Sequence, residues 1–288
     1  MVINNLDIIV IGKNEGDNLE KTFTLLKRYD LISSVIFVDS SSNDNSLKIA
    51  KSFNVKNFLI KGFTSPSIAR SFGANKGCKE WIFFIDGDVV PSEIFLNQIK
   101  NLLLLDLDLF FGWKYDLTKY NDVSFHAPKK EIFCPDYLGG NFLIKRDIYK
   151  SVGGWNTKIE IDEERELLCR IYKKTLKVKQ LNLCLGTHFN NKKSNRSIKE
   201  RYFGYRSKEE VKTLFFCLRN HFFQSLIVYR FTVLNLISYF LILSLNYYLF
   251  LIGIAIFLIN MILNLNSQIG KYLLPVKVLI NLLNILIP

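Results

Sequence analysis

Four short apolar runs, Ile8–Ile11, Val35–Val38, Phe58–Ile60 and Trp81–Ile85, punctuate the first third of the chain, and no charge interrupts any of them. Runs this short and unbroken suit strands covered on both faces. The stretches between them open on helix-cap signals. Asp17 is followed three residues on by Glu20, and Asn43 or Asp44 precedes Leu47-Lys48-Ile49-Ala50. Strand, helix, strand is therefore the repeating unit, which predicts an α/β fold with a mostly parallel sheet and flanking helices. In such sheets ligands bind beyond the carboxyl ends of the strands.

The residues that follow each strand thus become candidates for chemistry. After the first run comes Gly12-Lys13-Asn14-Glu15-Gly16, which has the spacing neither of a dinucleotide-binding turn nor of a P-loop. After the second comes Asp39-Ser40-Ser41-Ser42-Asn43-Asp44, and after the fourth Asp86-Gly87-Asp88, with Arg70 in the helical stretch before that fourth run. One glycine between two carboxylates at a strand end lets both reach a shared cation. Hard oxygen donors of this kind suit Mg2+ or Mn2+, whose remaining positions are filled by water and substrate phosphates. A turn with two aspartates is the bland alternative.

The C-terminal part is a different material. From Val211 to Pro288 there is no Asp or Glu, and the forty residues Phe231 to Gly270 carry no Asp, Glu, Lys, Arg or His. One bilayer crossing needs about 20 apolar residues, so residues 230–270 are expected to form a two-helix transmembrane hairpin, with Tyr247-Tyr248 at the far interface. Residues 271–288 carry Lys277, Asn281 and Asn284 on one helical face opposite Leu279, Leu282 and Leu286, as an interfacial amphipathic helix does. Residues 191–229 read as a basic juxtamembrane segment and residues 1–190 as the catalytic domain.

Cations flank the hairpin on one side, which predicts a multi-pass protein of the cytoplasmic membrane with that domain facing the cytoplasm. The residues from Met1 to Asp7 lack the basic start and apolar stretch of a secretory signal, in keeping with that expectation. The net charge of +12 gathers beside the apolar tail, so membrane lipid rather than nucleic acid is the expected partner. The five cysteines, at 78, 134, 169, 184 and 217, form no C-x-x-C pair and read as reduced thiols.

The segments IIVIGKNEGDNLEKTF, VIFVDSSSNDNS, SIARSFGANKGCKEWIFFIDGDVVPSE and LGGNFLIKRDIYKSVGGWNTKIEIDEERELLCRI, in that order, resemble family 2 glycosyltransferases of the Rossmann-like GT-A fold, in particular their bacterial membrane-anchored type. The resemblance spans roughly residues 6 to 185. It implies that Asp39 recognises the nucleotide base and that Glu15 helps enclose the nucleoside, although Asp39 also suits a turn. Arg70 matches an arginine that lies along the nucleotide, with Ser71 where the family usually has Asn. Trp155 matches an aromatic at the edge of the sugar pocket or a core residue. His188 falls where some GT-A enzymes place a further metal ligand. The family's Glu-Asp pair becomes Glu163-Glu164, which makes Glu164 the candidate base for the acceptor hydroxyl.

The expected activity is inverting, metal-dependent transfer of a sugar from a nucleotide-sugar to a lipid-linked acceptor in cell-surface glycan synthesis. A polyprenyl phosphate is the alternative acceptor, and a catalytically degenerate membrane scaffold is the alternative from another class. A nucleotidyltransferase would need a Gly-rich loop bearing Arg and Lys after the first strand, which Gly12–Gly16 does not supply.

Overall fold

The computed structural model describes residues 4–62, 64–118, 123–125, 127–128, 130–190 and 205–242. The chain divides into two compact units, Met1–Lys193 and Ser194–Pro288.

In the first unit each apolar run becomes a strand: β1 (Leu6–Gly12), β2 (Val35–Asp39), β3 (Lys56–Leu59) and β4 (Trp81–Asp86). The helices between them are α1 (Gly16–Arg28), α2 (Ser46–Ser52) and α3 (Pro66–Lys76). Beyond β4 follow β5 (Val89–Pro91), α4 (Glu93–Leu102), β6 (Leu109–Thr118), β7 (Val123–Phe125) and β8 (Ile132–Phe133). The unit closes with β9 (Phe142–Lys145), α5 (Arg146–Ser151), α6 (Glu163–Ile171) and β10 (Val178–Asn190).

The sheet runs β3-β2-β1-β4-β9-β6-β10-β5. Its first four strands are parallel, as the sequence pattern predicts. The rest is mixed. Strand β9 lies antiparallel to both β4 and β6, and β10 runs parallel to β6 but antiparallel to β5. Strand β5 begins three residues after β4 ends, too short a connection for a crossover to a parallel neighbour. The chain instead leaves the sheet at Asp86 and rejoins it on β10, where the Phe189 N–H donates to the Asp88 carbonyl at 2.8 Å.

Ile8, Ile9, Val10, Phe83 and Phe84 are fully buried at the centre of the sheet. Burying a side chain of this size contributes about 1.5–3 kcal/mol, which fixes the ends of β1 and β4 and hence the residues that leave them. Helix caps differ in detail from expectation. The N-cap of α1 is Glu15 and that of α2 is Asn45. Asp17 lies inside the first turn of α1, while the Asp44 carboxylate accepts the Gly16 and Ser46 N–H groups at 3.0 Å each. Asp44 therefore ties two loops together instead of capping its own helix.

In the second unit the described helices are Tyr205–Asn220, Phe222–Val228 and Arg230–Ile242. Among the described residues no helix is long and apolar enough to cross a membrane. The expected hairpin is described only as far as Ile242. Residues 243–270, the expected interfacial helix 271–288 and residues 191–204 of the basic segment lie outside the described residues.

Candidate active site

Register places the candidate acids. Gly12 of β1 pairs with Asp39 and its neighbour Ile11 pairs with Asp86, so the two acids leave the sheet on either side of β1. Strand spacing puts them about 10 Å apart. Asp39 is wholly buried, and its carboxylate accepts the Ser42 N–H at 2.9 Å together with the Ser42 hydroxyl. It holds the turn that follows β2. Glu15 is half-buried between Gly12 and Gly87 and accepts an amide hydrogen of Asn18 at 3.0 Å. The two loops are cross-braced: the Asn14 N–H donates to Ser42 Oγ, and the Asn43 N–H to Asn14 Oδ1, both at 2.8 Å.

Arg70 is the hub of the site. Pro66 starts α3 and Ser65 caps it, accepting the Ile68 N–H at 3.3 Å. This sets Arg70 on the buried face of the helix's second turn. Its guanidinium meets Asp86 Oδ1 at 2.7 Å, Glu163 Oε1 at 2.9 Å and Glu164 Oε1 at 3.8 Å. Only 3% of Arg70 is exposed. Burial alone would lower its pKa, but Asp86, Glu164 and Glu163 outweigh that and hold it well above the ordinary arginine range. Trp155 is buried beneath the guanidinium, whose carbon lies 5.1 Å from the indole centroid, and packs on Phe84 and Phe142. It belongs to the core that supports Arg70.

Glu163 and Glu164 open α6, where the helix macrodipole favours negative charge. Arg170, in the last turn of the same helix, bonds to Glu166 at 2.6 Å and donates to the carbonyls of Val152 and Gly154. The L-x-x-R pattern thus docks α6 on the turn that carries Trp155. Glu163 and Glu164 are both buried, and their fates differ. Glu163 is paired with Arg70, whereas Glu164 stands further off and accepts the Gly139 N–H at 3.2 Å. Burial pushes the Glu164 carboxyl up to about 7; neighbouring Glu163 and Asp86 add to the rise, while Arg70 and Lys114 oppose it. Burial raises Glu163 as well.

Asp88 faces the other way. His188 Nε2 lies 3.2 Å from Asp88 Oδ2, and His188 Nδ1 lies 2.7 Å from Asp116 Oδ1. The hydrogen bonds to Asp116 and Asp88 raise His188 to about 9. Burial tends to raise Asp88, but its bond to His188, the charge of that ring and Lys114 hold it below the usual carboxylate range.

Asp86 therefore stands with Arg70 and Asn141, apart from the Asp88–His188 pair with which the sequence had grouped it. Among the described residues no group of three or more His, Cys, Asp or Glu side chains is arranged to hold a metal ion. Asp88 and His188 together present one carboxylate and one imidazole, both partly exposed, with Asp116 on the ring's second nitrogen. That is how a carboxylate orients a metal-binding histidine.

Sequence reading did not single out Asp116, Lys114, Gly139 or Asn141. Asp116 stands opposite His188 across the β6–β10 ladder, and Lys114 lies two residues back on the same face of β6. The alternation in Trp113-Lys114-Tyr115-Asp116 was the available signal.

The family described as glycosyl transferase family 2 matches residues 7–153. No curated protein matches the sequence. The fold is similar to that of S. aureus TarS 1-349 in complex with UDP, with 13% identity and a TM-score of 0.59 over 81% of this chain and 72% of that one. It is also similar to glucosyl-3-phosphoglycerate synthase from Mycobacterium tuberculosis in complex with Mn2+, UDP-glucose and phosphoglyceric acid. There the identity is 15% and the TM-score 0.50, over 74% of this chain and 79% of that one.

Proposed function

The chain belongs to glycosyl transferase family 2, and from that premise we propose that it transfers a sugar, with inversion, from a nucleoside-diphosphate sugar to a hydroxyl of a lipid-linked acceptor at the cytoplasmic face of a membrane. The observation that carries this reading is the division of acids at the end of β4. Asp86, Glu163 and Glu164 are drawn onto Arg70, while Asp88 turns to His188.

In the reaction the acceptor oxygen attacks the anomeric carbon, Glu164 takes the hydroxyl proton, and the bond from that carbon to the diphosphate breaks. A carboxyl poised near 7 is a competent base at neutral pH. Glu163 and Asp86 neutralise Arg70 and fix its plane, so that Glu164 is oriented without being fully paired. Glu15 and the turn held by Asp39 are the candidates to enclose the nucleoside, with Asp39 two strands from Asp86.

Asp88 and His188 would be the residues to hold a divalent ion, Mg2+ or Mn2+, with the rest of its shell left to substrate and solvent. Bound there, it would offset the charge of the departing nucleoside diphosphate. Binding at His188 Nε2 would displace the proton that faces Asp88, while the Nδ1–H would stay on Asp116. The membrane and the lipid-linked acceptor rest on the charge-free run Phe231–Gly270 and on the basic excess before it. The segment Gly112–Tyr137, which includes Lys114 and Asp116, is the candidate for shaping the acceptor site, because no donor motif falls in it.

The test is turnover by the detergent-solubilised full chain of UDP-, GDP- and dTDP-sugars with Mn2+ or Mg2+. UDP-sugars come first because two proteins of similar fold hold UDP. Metal-dependent release of one nucleoside diphosphate, and a product of opposite anomeric configuration to the donor, are expected. No release from any donor would refute the reading.

A further inference from the structure

The turn between Leu138 and Asn141 bonds to Glu164, Asp86 and Lys114, yet no role above uses it. The Gly139 N–H donates to Glu164 Oε2 at 3.2 Å. The carbonyl of the same residue accepts from Lys114 Nζ at 2.8 Å and from Asn141 Nδ2 at 3.0 Å. Asn141 Oδ1 accepts the Asp86 N–H at 2.8 Å, and its Nδ2 lies 3.5 Å from Asp86 Oδ2. Asn141 is 2% exposed.

Gly139 and Gly140 both have left-handed backbones, with φ of 72° and 77°. A Cβ at Gly140 would stand 2.2 Å from Asp86 Oδ2 and 2.8 Å from Arg70 Nη2. Two consecutive glycines are thus required by conformation, and the second also by space.

We propose that the Gly139–Asn141 turn, tied down by Lys114, sets Glu164 against Asp86, with Lys114 and Asn141 as positioning residues. The proposal rests on Glu164 being the base. Lys114 on the Gly139 carbonyl anchors the Gly139–Gly140 peptide and so fixes the orientation of the preceding peptide, whose N–H donates to the Glu164 carboxylate. Lys114 thereby holds the base in place through the Gly139 backbone, and it also contributes charge directly. The charged and titratable groups that face Glu164 are Arg70 from α3, Asp86 from β4, Lys114 from β6, the Tyr137 hydroxyl from the preceding loop and Glu163 on its own helix. Lys114 is one of two cations among them, and it is half-exposed where Arg70 is buried. Replacing it alters the field on Glu164 and leaves the core intact.

The experiment measures kcat and KM for UDP-sugar turnover across about pH 5 to 9 in the full chain and in K114M, K114Q, K114R and N141A. K114M is expected to lose about 10- to 100-fold in kcat, the scale of a misplaced catalytic group, with donor KM little changed. Its rising acid limb should move to higher pH by about half a unit or more, because a cation that favours the carboxylate is gone. K114R should restore both rate and limb. K114Q, which keeps a donor for the Gly139 carbonyl without the charge, should move the limb with a smaller loss of rate. N141A should lose rate with the limb in place.

A folded K114M with unchanged kcat and pH profile overturns the proposal, as does a K114R no better than K114M. If K114M does not fold, an unshifted limb in K114Q decides against it. A wild-type chain that turns over no nucleotide-sugar counts against the transferase reading itself, and wild-type activity with unmoved variants counts against the turn alone.

Discussion

Asp86 and Asp88 are separated by a single glycine, yet they inhabit opposite electrostatic settings. Asp86 meets a buried guanidinium at 2.7 Å and a buried amide, and it shares Arg70 with two glutamates. Asp88 is partly exposed and meets an imidazole at 3.2 Å that is backed by Asp116. Residues two apart in a continuous strand share a face, but the strand ends at Asp86 and the chain turns through Gly87 and Asp88, so the two carboxylates diverge into separate neighbourhoods. On the proposed function, the Arg70 side is the proton-transfer pole and the His188 side the diphosphate pole.

If the poles are separate, damage to each should have its own signature. The largest effect is expected for Glu164→Gln, which keeps shape and removes basicity. Its kcat should fall about 10²–10⁴-fold, as for loss of a general base, in a steady-state turnover assay. Next comes Arg70→Met, which leaves three carboxylates without their counter-charge. Breaking a buried ion network by removing one partner costs about 3–5 kcal/mol, and urea unfolding should register a loss of that order.

On the other pole, Asp116→Asn should weaken Mn2+ binding by about 10- to 100-fold through the orientation of His188, read by calorimetry, with kcat at saturating Mn2+ far less affected than in Glu164→Gln. The wild-type rate should rise with pH through about 7, since Glu164 acts deprotonated and its carboxyl is raised to that value. Below that point kcat/KM should fall roughly tenfold per unit. The smallest effect is expected away from both poles. The Arg28–Glu93 pair is 60% and 54% exposed, and Glu93→Gln should change unfolding free energy by less than about 1 kcal/mol.

Legibility from sequence followed locality. Strands β1, β2 and β4 announce themselves because each is buried on both faces and so is apolar almost throughout, whereas β3 lies at the sheet edge, is partly exposed and includes Lys56 and Asn57. Strand β6 includes Lys114 and Asp116, and β10 has register shifts between Gln180 and Gly186, so neither shows as an unbroken run. The site divides in the same way. Asp39, Arg70, Asp86 and Asp88 stand directly at or after strands, or on the helix before one, and could be named from position alone. Asp116 acquires meaning only through its register with His188, a pairing between residues 72 positions apart. Glu163 and Glu164 are chemically identical neighbours in sequence. Their separation into a paired acid and a raised one comes from helix phase and from the Gly139 turn, which no local pattern encodes. Trp155 reads in sequence as either a pocket aromatic or a core residue, and it lies in the core, because Gly153-Gly154 turns the chain inward and Phe84 and Phe142 receive the ring.

The separation of the two poles is tested most directly by calorimetric titration of UDP in the presence of Mn2+ into the wild-type chain, Asp88→Ala and Glu164→Gln. Wild type and Glu164→Gln should bind UDP with the same affinity, and Asp88→Ala should lose that binding while remaining folded. Unimpaired binding in Asp88→Ala, or binding lost in Glu164→Gln, would contradict the assignment of donor and proton-transfer roles to opposite sides of Gly87.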